Sequence, residues 1–205
     1  VTFTIRTYGD PVLRQRAAEV EDIDGRVARL AAQMIDTMYE APGVGLAAPQ
    51  VGVRQRVFVY DTDDGLGPRT IINPRIVEAD GEWTFEEGCL SVPGLSWPIV
   101  RPRRVHLTGW DLAGREVSIE ATDYEARVFQ HEVDHLDGVL LVERLDPEQR
   151  RQALAILRRR TVDLAAGDPD GLGLLAEADR PAAGGQPVAT ADGLGRSGRQ
   201  PRPSH

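Results

Sequence analysis

Between residues 24 and 41 the apolar positions Val27, Leu30, Ala31, Met34, Ile35 and Met38 recur at steps of three and four, which predicts an amphipathic helix. Asp22 or Asp24 can cap its start. Pro42 and Gly43 end it, so residues 43–50, built of small side chains, are expected to begin as a flexible loop. The middle third has strand-like segments at 56–61, 70–73, 76–79, 83–86, 105–111 and 116–121. The last two flank the turn-like Leu112-Ala113-Gly114-Arg115 and should form an antiparallel hairpin. Helical spacing returns over 123–136, with Val128, Phe129, Val133 and Leu136 on or near one face. After a short apolar stretch at 139–142, Asp146 and Pro147 supply the N-cap and first-turn proline of a third helix reaching about residue 160. Strands and helices mixed without regular alternation predict an α+β fold.

After Thr161 the pattern stops. Gly, Pro, Ala and charged residues dominate and aromatics vanish, so this segment cannot bury enough apolar surface to offset chain entropy. One domain over residues 1–161 is expected, with a tail at 162–205 disordered, most plainly from 167 onward.

Composition narrows the function. The formal charge of −8 argues against a surface built to grip DNA and leaves room for a regional basic patch. Cys89 stands alone in the chain and cannot make an intramolecular disulfide, which fits a reduced cytoplasm. Neither a signal-peptide pattern nor a long apolar run is present, so no export and no membrane span are expected.

His131-Glu132-Val133-Asp134-His135 sets two imidazoles four residues apart on a predicted helix, hence on one face and able to share an ion. Glu132 then projects beside that ion, where it could take a proton from a water acidified by the metal. A catalytic site needs a third protein ligand and an open position, and Cys89 is the candidate. It lies in Glu87-Gly88-Cys89-Leu90-Ser91, where Gly88 gives the backbone freedom to turn the sulfur inward. Amide hydrolysis also needs donors aimed at an oxyanion, and Gln50 could supply one. Glu86, Glu87, Asp134 and Asp137 crowd the same segments; any of them could orient a ligand histidine or lie on an exposed face.

Taken together, Gly43-Val44-Gly45-Leu46-Ala47-Ala48-Pro49-Gln50, the segment around Cys89 and Gln130-His131-Glu132-Val133-Asp134-His135 resemble the three signature motifs of the peptide deformylase family, in order and at compatible separations. Tyr8-Gly9-Asp10-Pro11-Val12-Leu13-Arg14 is similar to the family's usual opening, and the resemblance runs from residue 4 to about 160. It implies antiparallel sheets packed around a central helix carrying the two histidines, with a C-terminal helix. It implies one divalent ion per chain on Cys89, His131 and His135, usually Fe2+ in cells with Zn2+, Ni2+ or Co2+ accepted, and Glu132 as general base and acid. The Gln50 side chain and the Leu90 N–H would face the oxyanion. Val44, Gly45 and Gly88 would bind the N-formylmethionyl nascent peptide as an added strand, with Val44, Leu90 and Val128 around the methionine.

The resemblance also bears on partners. Arg150, Arg151, Arg158, Arg159 and Arg160 oppose the single acid Glu148 on the third helix, and in bacterial members with a long C-terminal helix that helix docks on the ribosome. Some members place an arginine on the substrate rim after Ser91; this chain has Val92-Pro93-Gly94-Leu95-Ser96-Trp97-Pro98, where Trp97 either covers apolar substrate residues or packs on its own loop. A zinc endopeptidase would draw its third ligand from downstream, and the sole later histidine is His205. A closed structural metal site would need a fourth protein ligand, and His106 in the strand region is the one spare histidine of the domain.

Overall fold

In the computed structural model, which describes the backbone of residues 1–165 and the side chains of residues 1–160, the first helical pattern becomes α1 (Gly25–Glu40). Asp24 caps it, its Oδ1 accepting from the N–H groups of Arg26 and Val27 at 2.8 and 3.3 Å. Val27, Ala31, Met34 and Met38 turn inward and pack on Leu46, Val57 and Val59.

Seven strands follow: β1 (Gly45–Ala47), β2 (Val57–Tyr60), β3 (Arg69–Asp80), β4 (Trp83–Gly88), β5 (Ser96–Arg101), β6 (Arg104–Trp110) and β7 (Glu116–Thr122). An antiparallel five-stranded sheet runs β1-β2-β3-β6-β7, and β4 pairs with β5 in a separate ribbon. The β6–β7 hairpin forms as its pattern predicts, closed by Asp111 N–H to Arg115 O at 2.9 Å.

Three segments differ from expectation. The two strands read at 70–73 and 76–79 are one strand, β3, irregular between Ile72 and Arg75. Asn73 takes φ 50° there and its side chain bonds both the N–H and the C=O of Val20, at 2.8 and 2.9 Å. Pro74, with no N–H to donate, is tolerated because the ladder is already interrupted. Residues 43–50 are not a flexible loop: they contain β1 and a buried 3₁₀ turn, Ala48–Val51. β1 is three residues long and buried throughout, too short for alternation to announce it. β5 falls in the stretch read as loop, and its Trp97 packs half-buried against the cluster holding Leu13 and Ile99.

The central helix α2 (Asp123–Leu136) has the predicted bounds and lays Ala126, Phe129 and Leu136 on Phe58, Tyr60 and Leu107 of the sheet. Helix α3 (Pro147–Ala165) starts at Asp146, whose Oδ1 accepts from Glu148 and Gln149 N–H at 2.8 and 3.0 Å. Ala153 and Leu157 dock it on a third cluster with Leu13, Leu140 and Leu141. At roughly 1.5–3 kcal/mol for each large buried apolar side chain, this start of α3 belongs to the fold. The disorder expected of residues 167–205 concerns positions outside the described residues. Among the described residues no helix is long and apolar enough to cross a membrane.

Candidate metal centre

Helix α2 stacks His131 and His135 one turn apart, and their Nε2 atoms lie 3.2 Å from each other. Cys89 arrives from the end of β4, where the chain leaves the ribbon and turns, Val92 N–H bonding Cys89 O at 2.9 Å. Its Sγ is 3.2 Å from His135 Nε2, and the three candidate ligand atoms lie within 4.8 Å of one another. Gly88 is not needed for that turn, because its φ is not positive and an added Cβ would meet just Leu95 O at 3.7 Å.

These atoms fit a metal ion. Sulfur at about 2.3 Å and nitrogen at about 2.0 Å from a tetrahedral ion would be about 3.3–3.6 Å apart, close to the separations observed, and thiolate with imidazole suits iron or zinc. Burial alone would push the Cys89 thiol up, but His135 and His131 outweigh it and hold the thiol well below its usual range. Burial likewise opposes charge on His131, yet Cys89 and Glu87 raise it well above an ordinary histidine. The pull is mutual: the cluster favours a thiolate beside positive charge, which a divalent ion would also supply.

Glu132 is buried, and its Oε2 has no hydrogen-bond partner among the described residues. Burial is the main cause that pushes this carboxyl up to about 7, against the pull of His131 and His135. Gly45 makes room for it, since a Cβ there would sit 2.4 Å from Glu132 Oε1. Gln50 is also buried and held in one orientation: Ala47 N–H donates to its Oε1 at 2.8 Å, so its amide nitrogen faces Ser91 Oγ at 3.2 Å and Cys89 Sγ at 3.9 Å. The Leu90 N–H makes no protein hydrogen bond among the described residues.

A cleft of about 560 Å³ joins these groups, with Val44, Gly45, Gly88, Leu90, His131 and Glu132 in its wall. Val44 and Gly45 lie at and beside the start of β1, an edge strand of the large sheet. Val128, expected beside the methionine, is buried in the core under the sheet and does not line the cleft; Tyr124, one turn earlier on α2, does.

Of the four acids singled out, Glu87 reaches the site, its Oε2 lying 3.2 Å from His131 Nδ1. Arg101 grips the same carboxylate through Nε and Nη2, at 2.7 and 3.0 Å, and Arg127 bonds its Oε1. Although burial raises Glu87, the bonds from His131 and Arg101 outweigh it and bring the carboxyl down to about 2. Asp134 joins the network through Arg101, at 2.8 Å, and Arg144. Glu86 instead bonds Ser96 Oγ, and Asp137 pairs with Arg56. Arg101, at the end of the unforeseen β5, had no signal in the sequence; Arg127, on the inner side of the predicted helix, had one that does not name its partner.

The family model described as polypeptide deformylase matches residues 2–151. A relative from Acidothermus cellulolyticus named peptide deformylase is 49% identical over 154 residues, covering 75% of this chain and 84% of the relative. The peptide deformylase structure from Thermus thermophilus superposes with a TM-score of 0.75 at 44% identity, covering 82% of this chain and 99% of that one. The one from Legionella pneumophila gives 0.75 at 40% identity, covering 80% and 98%.

Proposed function

The chain belongs to the polypeptide deformylase family, a metal-dependent hydrolase that frees nascent peptides of their N-terminal formyl group, and we propose that Cys89, His131 and His135 hold its single ion while Glu132 moves the proton. What supports this most is the convergence of three ligand atoms within 4.8 Å beside a buried carboxyl with one oxygen unpartnered. When bound, the ion supplies Lewis acidity that brings a water's pKa to about 7. Glu132 accepts the proton of the attacking water, whose oxygen bonds the formyl carbon. Negative charge then grows on the formyl oxygen, opposite the Gln50 amide and the Leu90 N–H, two uncharged donors that need little reorganisation. The C–N bond breaks, Glu132 passes its proton to the leaving amine, and formate departs.

The free edge at Val44 and Gly45, with Gly88 across the cleft, takes the peptide backbone as an added strand. Main-chain bonding suits a substrate class whose sequence varies after methionine. We assign Fe2+ as the ion in a reduced cytoplasm, since a lone thiolate and two imidazoles make a soft site. The decisive assay is formate release from a formyl-Met peptide by iron-loaded protein kept from air, with metal content measured on the same sample. Release should stop on chelation and return with Fe2+ or Ni2+, and the nickel form should outlast the iron form in air. Metal-loaded protein that releases no formate would overturn the assignment.

Ribosome docking is assigned to the exposed Arg150, Arg151, Arg158 and Arg159 of α3. Arg160 has another task, because its Nη1 bonds Pro93 O at 2.6 Å on the wall of the cleft. Neutralising Arg158 and Arg159 together should weaken ribosome binding and flatten its salt dependence while sparing turnover of a short peptide. Unchanged binding across a salt titration would remove the docking role.

A further inference from the structure

A second cavity, of about 730 Å³, lies against α2 away from the cleft. Gln130, Val133, Asp134 and Asp137 line it, spaced i, i+3, i+4 and i+7, whereas Tyr124, His131 and Glu132 line the cleft. At about 100° per residue these stripes fall on different faces of the helix. Neither the candidate metal ligands nor Gln50 and Glu132 belong to this second wall.

Its charge is lopsided. Five guanidinium groups, from Arg16, Arg56, Arg75, Arg101 and Arg144, face three carboxylates, from Glu19, Asp134 and Asp137. Each carboxylate is already engaged. Glu19 accepts from Arg75 at 2.6 Å, Asp137 is shared by Arg56 at 2.6 Å and Arg16 at 3.7 Å, and Asp134 is shared by Arg101 and Arg144. Arg101 is also held from behind the wall by Glu87, at 2.7 and 3.0 Å, and the lining still carries more guanidinium than carboxylate groups in a chain whose formal net charge is −8. Arg56 and Arg101 are buried, with side chains 7% and 4% exposed, so their charge is weakly screened. Arg16 and Arg75, at 79% and 67%, can swing onto a ligand. Ile76, Val100, Pro102 and Val133 complete the wall with apolar surface.

We propose that this cavity binds a doubly charged oxyanion, namely phosphate or the phosphate group of a small phosphomonoester. The planar forks of arginine match phosphate oxygens in pairs, which a lysine patch would not do. The excess of guanidinium over carboxylate groups in the lining favours an anion over a neutral ligand. The volume is many times the ~30 Å³ of a water molecule, which leaves room for an organic body against Val100 and Pro102.

Calorimetric titration of the metal-loaded full chain tests this, with inorganic phosphate and glycerol phosphate as probes and sodium chloride at matched ionic strength as reference. The parent should bind one phosphate-bearing probe per chain, saturably, and the exposed-rim double variant Arg16→Ser/Arg75→Ser should bind it at least tenfold more weakly. Arg144→Gln, made separately, should also weaken it, so a folding defect in one variant leaves the other to decide. Tighter binding of glycerol phosphate assigns the ester as the ligand class, and tighter binding of inorganic phosphate assigns the free ion. Formate release, assayed alongside, should persist in Arg16→Ser/Arg75→Ser, whose side chains bond Asp137 and Glu19 and not the network around Glu87, which separates this site from the catalytic reading. No saturable heat beyond the salt reference, or equal affinity in the parent and both variants, would overturn the proposal, since the anion would then bind elsewhere or not at all.

Discussion

Around Glu87 both carboxylate oxygens are bonded, whereas in the cleft one oxygen of Glu132 has no partner among the described residues. Both carboxylates are buried, and both belong to segments that carry candidate metal ligands. Glu87 is gripped by Arg101, Arg127 and His131, and its neighbour Asp134 by Arg101 and Arg144. Glu132 has an oxygen with no partner among the described residues, and so has the Nδ1 of His135. A carboxyl down to about 2 on one side and up to about 7 on the other records the same contrast. The Glu87 carboxylate can hold a ring in place because both of its oxygens are engaged. The cleft can do chemistry because its buried carboxyl has an oxygen with nothing fixed to it, free to take a proton. Stability and activity are thus laid side by side on one helix.

The largest test of the contrast is Glu132→Gln, which keeps size but cannot take a proton. It should lower kcat by 10² to 10⁴-fold, about 3–5 kcal/mol in the barrier, with metal content unchanged and KM for a formyl-Met peptide moving far less. Turnover within a few-fold of the parent would end the role given to Glu132.

Next come opposite effects on stability in metal-free protein. Glu132 is raised above its unfolded value near 4.5, so it costs stability increasingly as pH rises through about 7. Glu132→Gln should therefore be the more stable protein at pH 8, by up to about 3 kcal/mol, with the gap closing below about pH 4.5. Glu87 is depressed, so its contribution is present above about 4.5 and is lost as pH falls toward about 2. Glu87→Gln should be the less stable protein at neutral pH, by a similar amount, with its deficit shrinking in acid. Urea midpoints at several pH values check both, and shifts of the same sign in the two variants would dissolve the contrast.

A steric test follows. Gly45→Ala would place a methyl 2.4 Å from Glu132 Oε1 and must displace the carboxylate, so kcat should fall about 10²-fold with the fold and the ion retained. A fully active Gly45→Ala enzyme would show that the position of Glu132 is not critical. The smallest expected effect separates holding the ion from using it. In Glu87→Gln the metal affinity should drop 10 to 100-fold, measured by competition with a chelator, while the fully loaded variant keeps most of its turnover. Unaltered affinity would reduce Glu87 to a structural ion-pair partner.

Local order carried much of this protein into view. The step of four between His131 and His135 sets two imidazoles on one helix face whatever surrounds them, and the bounds of α2 follow from its own periodicity. The β6–β7 hairpin and the cap of α3 at Asp146 are equally short-range and equally legible. Strands β1 and β5 were not, because three residues cannot alternate visibly and because β5 exists through its pairing with β4. The meeting of Cys89 with the histidines spans 46 and 42 residues, and composition cannot say that those distances close; motif resemblance suggested it, and the folded backbone provides the 3.2 Å approach. Which acid braces His131 was open among four, and the long-range placement of Arg101 and Arg127 singles out Glu87. The second cavity has no linear signal whatever, since its arginines come from the segment before α1, from the residue before β2, from β3 and β5, and from the turn before α3. Periodicity and capping act over one or two turns of chain and are written in neighbouring residues. Charge pairing, desolvation and cavity shape depend on which distant segments the core brings together, and those are settled when the sheets and α2 pack.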